Sequence, residues 1–415
     1  MASSKYDSFF KGYAEADDLL TPTLASDVFE RLECIHSGSL LIDDALSCDG
    51  IAKGRLYQYY GPSGSGKSLL AMLAIKEAQK IPGTDQCYID AEHTFDSIWA
   101  QSLGIDTKRV LLIRGDQATQ AKRLFDMLIG IPKVDASKNY AGKKTEGLLG
   151  RIASGEFNIN LIVLDSLGAI IYPVEQTAEA GKVTMGGASA RFLSTEMKKL
   201  SIEVSKANVP MIVINHKKEG LTMYGPDHTF SGGNAYIHSL SANLYVEKVQ
   251  RKDALILNGN DESVGATLRV TVEKSKMGPH PRKVEIRVHF GVGIIDRHVE
   301  VSSLALKYGL ISQSGASYSY GDKKWRGRAD LDEHLKSDKN LCKELVSKIQ
   351  DARYNYLVSS AKEFAETTDE TPTESDEITF EVAADVTKKT RGKKKSVEAD
   401  LDGPAVAICT EDRDV

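Results

Sequence analysis

Cysteine is scarce and unpatterned in this chain. Cys34, Cys48, Cys87, Cys342 and Cys409 are odd in number, far apart and free of any CxxC pair. That spacing speaks against a disulfide framework and against a zinc site. Long apolar runs are missing too, none approaching the roughly 20 residues that cross a bilayer. The opening MASSKYDSFF lacks the apolar stretch of a secretory leader. These absences lead us to expect a cytoplasmic chain with free thiols and no membrane partner. No internal repeat is found.

What is present describes an ordinary globular protein. The chain has 415 residues, 41% of them hydrophobic and 27% charged. At roughly 100–200 residues per domain, it has room for a large core and one or two smaller modules. The net charge of −5 is unevenly placed. Residues 366–415 hold 14 acidic and 7 basic side chains, a net of −7, which leaves the preceding 365 at +2. That tail is rich in Thr, Glu, Asp and Ser and poor in aromatics, a composition expected to stay disordered. Its one basic run, Lys388 to Lys395, reads as a solvated cluster or as a weak nucleic-acid contact.

Gly61-Pro62-Ser63-Gly64-Ser65-Gly66-Lys67-Ser68 follows the apolar run Leu56 to Tyr60 and opens a helix-like segment reaching Lys80. This is the pattern of a nucleotide phosphate loop. Its glycines let successive N–H groups turn inward, and the helix N-terminus adds positive potential where phosphates would sit. Lys67 would reach those phosphates as a point charge, and the Ser68 hydroxyl suits the Mg²⁺ that accompanies a nucleoside triphosphate.

Further short apolar runs at Cys87 to Ile89, Val110 to Ile113, Leu161 to Leu164 and Met211 to Ile214 alternate with plausible helices. The alternation predicts an α/β core with a mostly parallel sheet. In Gly187 to Ala207, Leu193, Met197, Leu200, Val204 and Ala207 recur at helical spacing, so one face should be buried. Lys133 to Gly147 is polar and reads as a surface loop between two helices. Beyond about residue 296 a smaller unit is expected, with a turn region at Tyr318 to Tyr320 and helices around Leu331 to Leu335 and Leu341 to Leu357. The strand Leu161 to Leu164 ends in Asp165, a carboxylate suited to the Mg²⁺ shell at a sheet edge. The strand Cys87 to Ile89 runs into Asp90 and Glu92, offering a carboxylate that could polarise a water. Helix capping is the plainer role for either.

The strings YIDAEHTFDSIWAQSLGID, LIVLDSLGAI, TMGGASARFLSTEMKKL, SGGNA and VEKSKMGPHPRKVEIRVHFGVGI resemble successive motifs of the RecA recombinases. The likeness runs from about Ile35 to Arg353. It implies a RecA-type P-loop ATPase core over 35–295, entered by an N-terminal oligomerisation segment (1–34). A small α+β C-terminal domain (296–360) and a disordered acidic tail (361–415) would follow. The family is a DNA-dependent ATPase that forms helical filaments on single-stranded DNA and exchanges strands with a homologous duplex in recombination, repair and the SOS response. ATP and Mg²⁺ are the implied cofactors. Single-stranded DNA, double-stranded DNA, further copies of the chain, a loader and single-strand-binding proteins are the implied partners.

By the same resemblance Glu92 matches the general base and Asp165 the Mg²⁺-linked acid, while Asp96 and Trp99 match positions that contact adenine. His216 stands where the family usually has a glutamine that senses the γ-phosphate; histidine there is similar to the bacteriophage UvsX branch. Lys274 and Lys276 match paired lysines that reach the neighbouring subunit's ATP, although period-two lysines also suit one solvated face of a strand over Ala266 to Lys274. Two DNA loops are implied. One spans 179–187 and ends in Met185, Gly186 and Gly187, with Arg191 just beyond. The other spans 217–233, with Lys217, Lys218, Ser231, Gly232 and Gly233 as contacts. Lys307, Lys323, Lys324, Arg326 and Arg328 form a candidate gateway for duplex DNA, and Phe9, Phe10 and Tyr13 a candidate contact to a neighbouring subunit. Two alternatives share such a core: a hexameric ring motor that unwinds DNA, and a protein that coats single strands with ATP as a switch.

Overall fold

The central strands are apolar along their length because both of their faces are covered. The computed structural model describes residues 32–135, 140–176, 187–219, 228–230, 235–278 and 280–367. For 132–135, 140–144, 176, 218–219, 228–230, 252 and 354–367 it describes the backbone alone. Leu56–Gly61 and Ile159–Asp165 are buried at every position. The sheet path runs Gly293–Ile294, Arg282–His289, Ser263–Ser275, Ala242–Lys248, Leu56–Gly61, Met211–Glu219, Ile159–Asp165, Asp85–Asp90, Val110–Ile113. The last six of these strands are mutually parallel, and the first three extend the sheet antiparallel.

Period-two alternation divides the buried side chains between two layers. Tyr57, Tyr59, Val163 and Ile214 face the helix Lys67–Ala78, whose Leu70, Ala74 and Ile75 pack on them. Leu56, Tyr60, Ile162 and Val213 face the other layer, formed by the helices Ala121–Ile129 and Gly187–Lys206. Leu193, Met197, Leu200 and Val204 are buried there, and Ala207 follows just past the helix end. A third core, containing Val301, Leu304, Trp325, Leu331, Leu335 and Leu345, sits under the three-stranded sheet Ser312–Ser314, Ser317–Tyr320, Lys323–Arg326.

The third core is fastened to the first part of the chain through the helix Leu40–Ala45. Glu300 is buried and accepts from the Ser39 hydroxyl (2.7 Å) and the Leu40 N–H (3.0 Å). Asp44 receives Lys307 at 2.5 Å and the Tyr308 hydroxyl. Arg353 donates to the Cys48 carbonyl at 3.0 Å and to Asp49 at 2.9 Å.

Three expectations change. Lys133 to Gly147 is largely an antiparallel hairpin, Gly130–Asp135 with Tyr140–Glu146. Its strands lack apolar alternation, so backbone pairing alone defines them. Tyr318 to Tyr320 is strand rather than turn, with Tyr318 opposite Trp325. The last helix, Lys339–Thr367, continues past the expected start of the tail at 361, through the helix-forming run Ala361 to Glu366. Contacts divide the chain at Ser359/Ser360, and of the second unit only helical backbone is described. Among the described residues no helix is long and apolar enough to cross a membrane.

Candidate nucleotide site

The phosphate loop leaves the carboxyl end of Leu56–Gly61, the second of the six parallel strands, on the edge of the sheet where open α/β folds bind ligands. Two glycines are required by space. A Cβ on Gly61 would lie 2.0 Å from the Val246 carbonyl oxygen. On Gly66, where φ is +100°, it would lie 2.6 Å from a Leu268 methyl. Pro62 and Ser63 complete the turn. Gly64 has open space on its Cβ side. Ser65 Oγ is buried without a hydrogen-bond partner among the described residues. The helix starts at Lys67, whose Nζ donates to the carbonyls of Gly61 (3.2 Å) and Pro62 (2.7 Å). Burial lowers the Lys67 ammonium from its ordinary value, and Asp165 and Glu92 oppose that shift.

Two carboxylates face this loop from neighbouring strand ends. Asp165 Oδ2 accepts from Ser68 Oγ at 2.7 Å and from the Tyr88 hydroxyl at 2.7 Å. Burial raises the Asp165 carboxyl above its usual range, and those two hydrogen bonds work against the rise. Glu92 is half-buried. It accepts from the Ser166 hydroxyl and lies 2.8 Å from His216 Nε2. The His216 hydrogen bond holds Glu92 below its usual range, helped by Ser166 and by the charge on Lys67. Neither Asp90 nor Glu92 caps a helix; the next helix, Ser97–Ser102, has Asp96 at its N-terminus. Asp90 is buried, pairs with Arg114 at 2.8 Å and accepts from the N–H groups of Thr94 and Phe95, which pins the turn that carries Glu92.

These residues fit a nucleotide with Mg²⁺. The unpartnered Ser65 hydroxyl, the open face of Gly64 and the Lys67 ammonium line a cradle for phosphate. A Ser–Asp oxygen pair is the donor set of a hard cation that keeps most of its water. No cluster of three or more His, Cys, Asp or Glu suited to a tightly held metal occurs among the described residues.

Other expected residues lie further off or serve in addition as local structure. Asp96 caps the helix Ser97–Ser102 by accepting from the N–H groups of Ile98 (2.7 Å) and Trp99 (3.1 Å). Trp99 is partly buried, and its indole N–H donates to the Phe290 carbonyl at 2.6 Å. Lys274 donates to the Ile237 carbonyl of its own chain at 2.5 Å, while Lys276 is exposed beyond the strand end. Gly187 opens its 20-residue helix, and Arg191 is exposed on it. The second loop is partly strand: Lys217 and Lys218 pair with Phe230 and Thr229, and the Lys217 ammonium lies 5.2 Å from the Tyr245 ring centroid. Met185, Gly186, Ser231, Gly232, Gly233, Phe9, Phe10, Tyr13 and the tail beyond Thr367 are outside the described residues. In the gateway patch, Lys323 pairs with Asp338 and Arg328 with Asp332, which leaves Lys324 and Arg326 exposed.

Sequence reading missed Tyr88, Ser166 and Phe290, the groups that hold Asp165, Glu92 and Trp99. The first two signals were local. Ser166 directly follows Asp165, and Tyr88 lies two residues before Asp90, on the same strand.

A family model described as the RecA N-terminal domain matches residues 21–138 and 141–295. Protein RecA of Borrelia duttonii is 34% identical over 328 residues, 78% of this chain and 82% of its own length. Protein RecA of Bifidobacterium breve is 32% identical over 89% of this chain and 85% of its own. For Protein RecA of Chloroherpeton thalassium the figures are 32%, 79% and 83%. With a family model spanning well over half of its residues and relatives matched across most of their length, the chain belongs to the RecA family.

Proposed function

We propose that the chain is a DNA-dependent ATPase that assembles as a helical filament on single-stranded DNA and exchanges that strand with a homologous duplex, in cytoplasmic recombination and repair. The observation that supports this most is the convergence of Lys67, the Ser68–Asp165 pair and the His216–Glu92 pair on neighbouring strand ends. In this reading Glu92, kept as a carboxylate, takes the proton of the water that attacks the γ-phosphorus. His216 orients that carboxylate through Nε2 and, on turning away from it, would give the same N–H to a phosphate oxygen. Lys67 neutralises the β- and γ-phosphate oxygens. Mg²⁺, held by Ser68 and Asp165, would supply charge neutralisation between those phosphates. Asp96 and Trp99 would border the adenine.

Lys274 and Lys276 would complete a neighbouring subunit's site, so hydrolysis would depend on assembly. Gly187, Arg191, Lys217 and Lys218, with Met185, Gly186, Ser231, Gly232 and Gly233, would track the DNA backbone in a salt-sensitive, sequence-tolerant manner. A loader and a single-strand-binding protein would serve the same filament. The test is ATP hydrolysis with and without single-stranded DNA, together with electron microscopy of the same mixture. Strong stimulation with extended filaments is expected. Closed rings that unwind duplex, or coating of DNA without hydrolysis, would overturn the proposal.

A further inference from the structure

A row of polar side chains crosses four adjacent strands inside the apolar layer that faces the helix Gly187–Lys206. Asn215, Gln58, Asn243 and Glu273 lie on the strands Met211–Glu219, Leu56–Gly61, Ala242–Lys248 and Ser263–Ser275, in that order. Gln58, Asn215 and Asn243 are at most 3% exposed, as is Tyr236 beside them. Gln58 Nε2 donates to Asn243 Oδ1 at 2.8 Å, and Gln58 Oε1 receives the Tyr236 hydroxyl and, at 3.5 Å, Asn215 Nδ2. Asn215 Nδ2 also meets the Tyr236 oxygen at 2.7 Å. At one end Asn243 Nδ2 reaches Glu273 at 3.4 Å, where Glu273 also accepts from Tyr60 at 2.5 Å. At the other end Asn215 Oδ1 accepts the backbone N–H of His216 at 2.8 Å.

The two ends of the row are functional addresses. Glu273 precedes Lys274 at a register shift in the strand pairing, between Asn243 and Leu244. Asn215 sets the backbone of the residue that touches Glu92. Amides in an apolar layer must be fully paired or they cost stability, and a paired row has one geometry. A shift at one end therefore has a contiguous set of directional contacts through which to reach the other.

We propose that Gln58 is a positioning residue for hydrolysis, joining through this row the strand that carries Lys274 to the His216–Glu92 pair. The inference rests on the assignment of hydrolysis to that pair. It means that the lysine offered to a neighbour and the carboxylate used at a protomer's own site are set together.

The test uses the full chain with Gln58 and Asn243 both changed to Leu. That double variant keeps the Asn215–Tyr236 and Tyr60–Glu273 contacts but takes away the acceptor of the buried Tyr236 hydroxyl, so its melting temperature should fall by a few degrees while the fold is kept. DNA-stimulated kcat should fall about ten- to a hundred-fold, because displaced reacting groups cost rate. KM for ATP should move less than about three-fold, since the phosphate loop is untouched. Tyr236→Phe, which removes one hydroxyl, should lower kcat in the same direction and serves if the double variant does not fold. Wild-type kcat in a folded double variant, or in Tyr236→Phe, would overturn the proposal while leaving the ATPase assignment intact. A wild-type protein that hydrolyses no ATP with DNA would overturn both.

Discussion

His216 Nε2 and Glu92 Oε1 meet at 2.8 Å although the strand Ile159–Asp165 lies between the strands that carry them. Ser166, at the end of that intervening strand, donates to the same carboxylate. Residues from three adjacent strands and the turns after them are thus joined at one oxygen, and Glu92 is held below its usual range by both of its partners.

Hydrolysis should therefore persist into mild acid. A carboxylate held below its usual range stays ionised, and so able to accept a proton, until pH falls through its folded value; the stability it contributes is present above the unfolded value and is lost over the same fall. His216 is the first cause of that lowering. In His216→Ala the acid limb of kcat/KM should move up toward the ordinary glutamate range. An unmoved limb would separate Glu92 from the rate. Glu92→Gln should lower kcat by about 10²–10⁴-fold and leave nucleotide binding in place.

Lys67→Met removes a buried side chain whose ammonium is aimed at the loop carbonyls. Charged hydrogen bonds are worth about 1.5–3 kcal/mol, so ATP affinity should fall by roughly one to two powers of ten. Calorimetry with a slowly hydrolysed analogue measures it, and unchanged affinity would place the phosphates elsewhere. Gly61→Ala should fail more broadly, because its methyl meets the Val246 carbonyl.

Asp165 is expected to trade stability for function. Its carboxyl is raised by burial, so its ionised form opposes folding at neutral pH, and that penalty fades as pH falls through the folded value. Asp165→Asn should accordingly melt higher than the wild type in chelator at pH 7. With Mg²⁺ and ATP it should lose the several kcal/mol of charge stabilisation that a bound metal supplies. A lower melting point in chelator would show that the Ser68 and Tyr88 hydrogen bonds outweigh the burial cost.

Lys274 tests action between subunits. Lys274→Ala should reduce hydrolysis on the order of 10³-fold or more, by analogy with other trans cations. Mixing it with Glu92→Gln should restore part of the activity, at those interfaces where an intact Glu92 meets an intact Lys274. A mixture no more active than its components would confine Lys274 to its contact with Ile237.

The phosphate loop, the parallel strands and the buried stripe of Gly187–Lys206 were legible because each is a local pattern: fixed spacing, a short apolar run, or a 3.6-residue period. Glu92 and Asp165 could be placed near the loop from sequence because Asp165 ends its strand and Glu92 lies two residues past the end of its own. The hairpin over 130–146 was not, since polar strands leave no period-two signal. The Gln58 row was not either. Four polar residues on four strands become neighbours only through strand order, which no local window contains. Asp96 shows a third limit: a carboxylate that caps a helix and one offered to a base look the same in sequence.

The seat of Asp44 has a consequence for how the chain comes off the ribosome. Its partners Lys307 and Tyr308 lie more than 260 positions later, and Arg353, which reaches Cys48 and Asp49 beside it, more than 300. The helix Leu40–Ala45 therefore waits, its Asp44 without these partners, through most of translation. Closure of such distant contacts is slow. The nucleotide-binding strands can pair before the last segment arrives, but the molecule can be locked only from its far end.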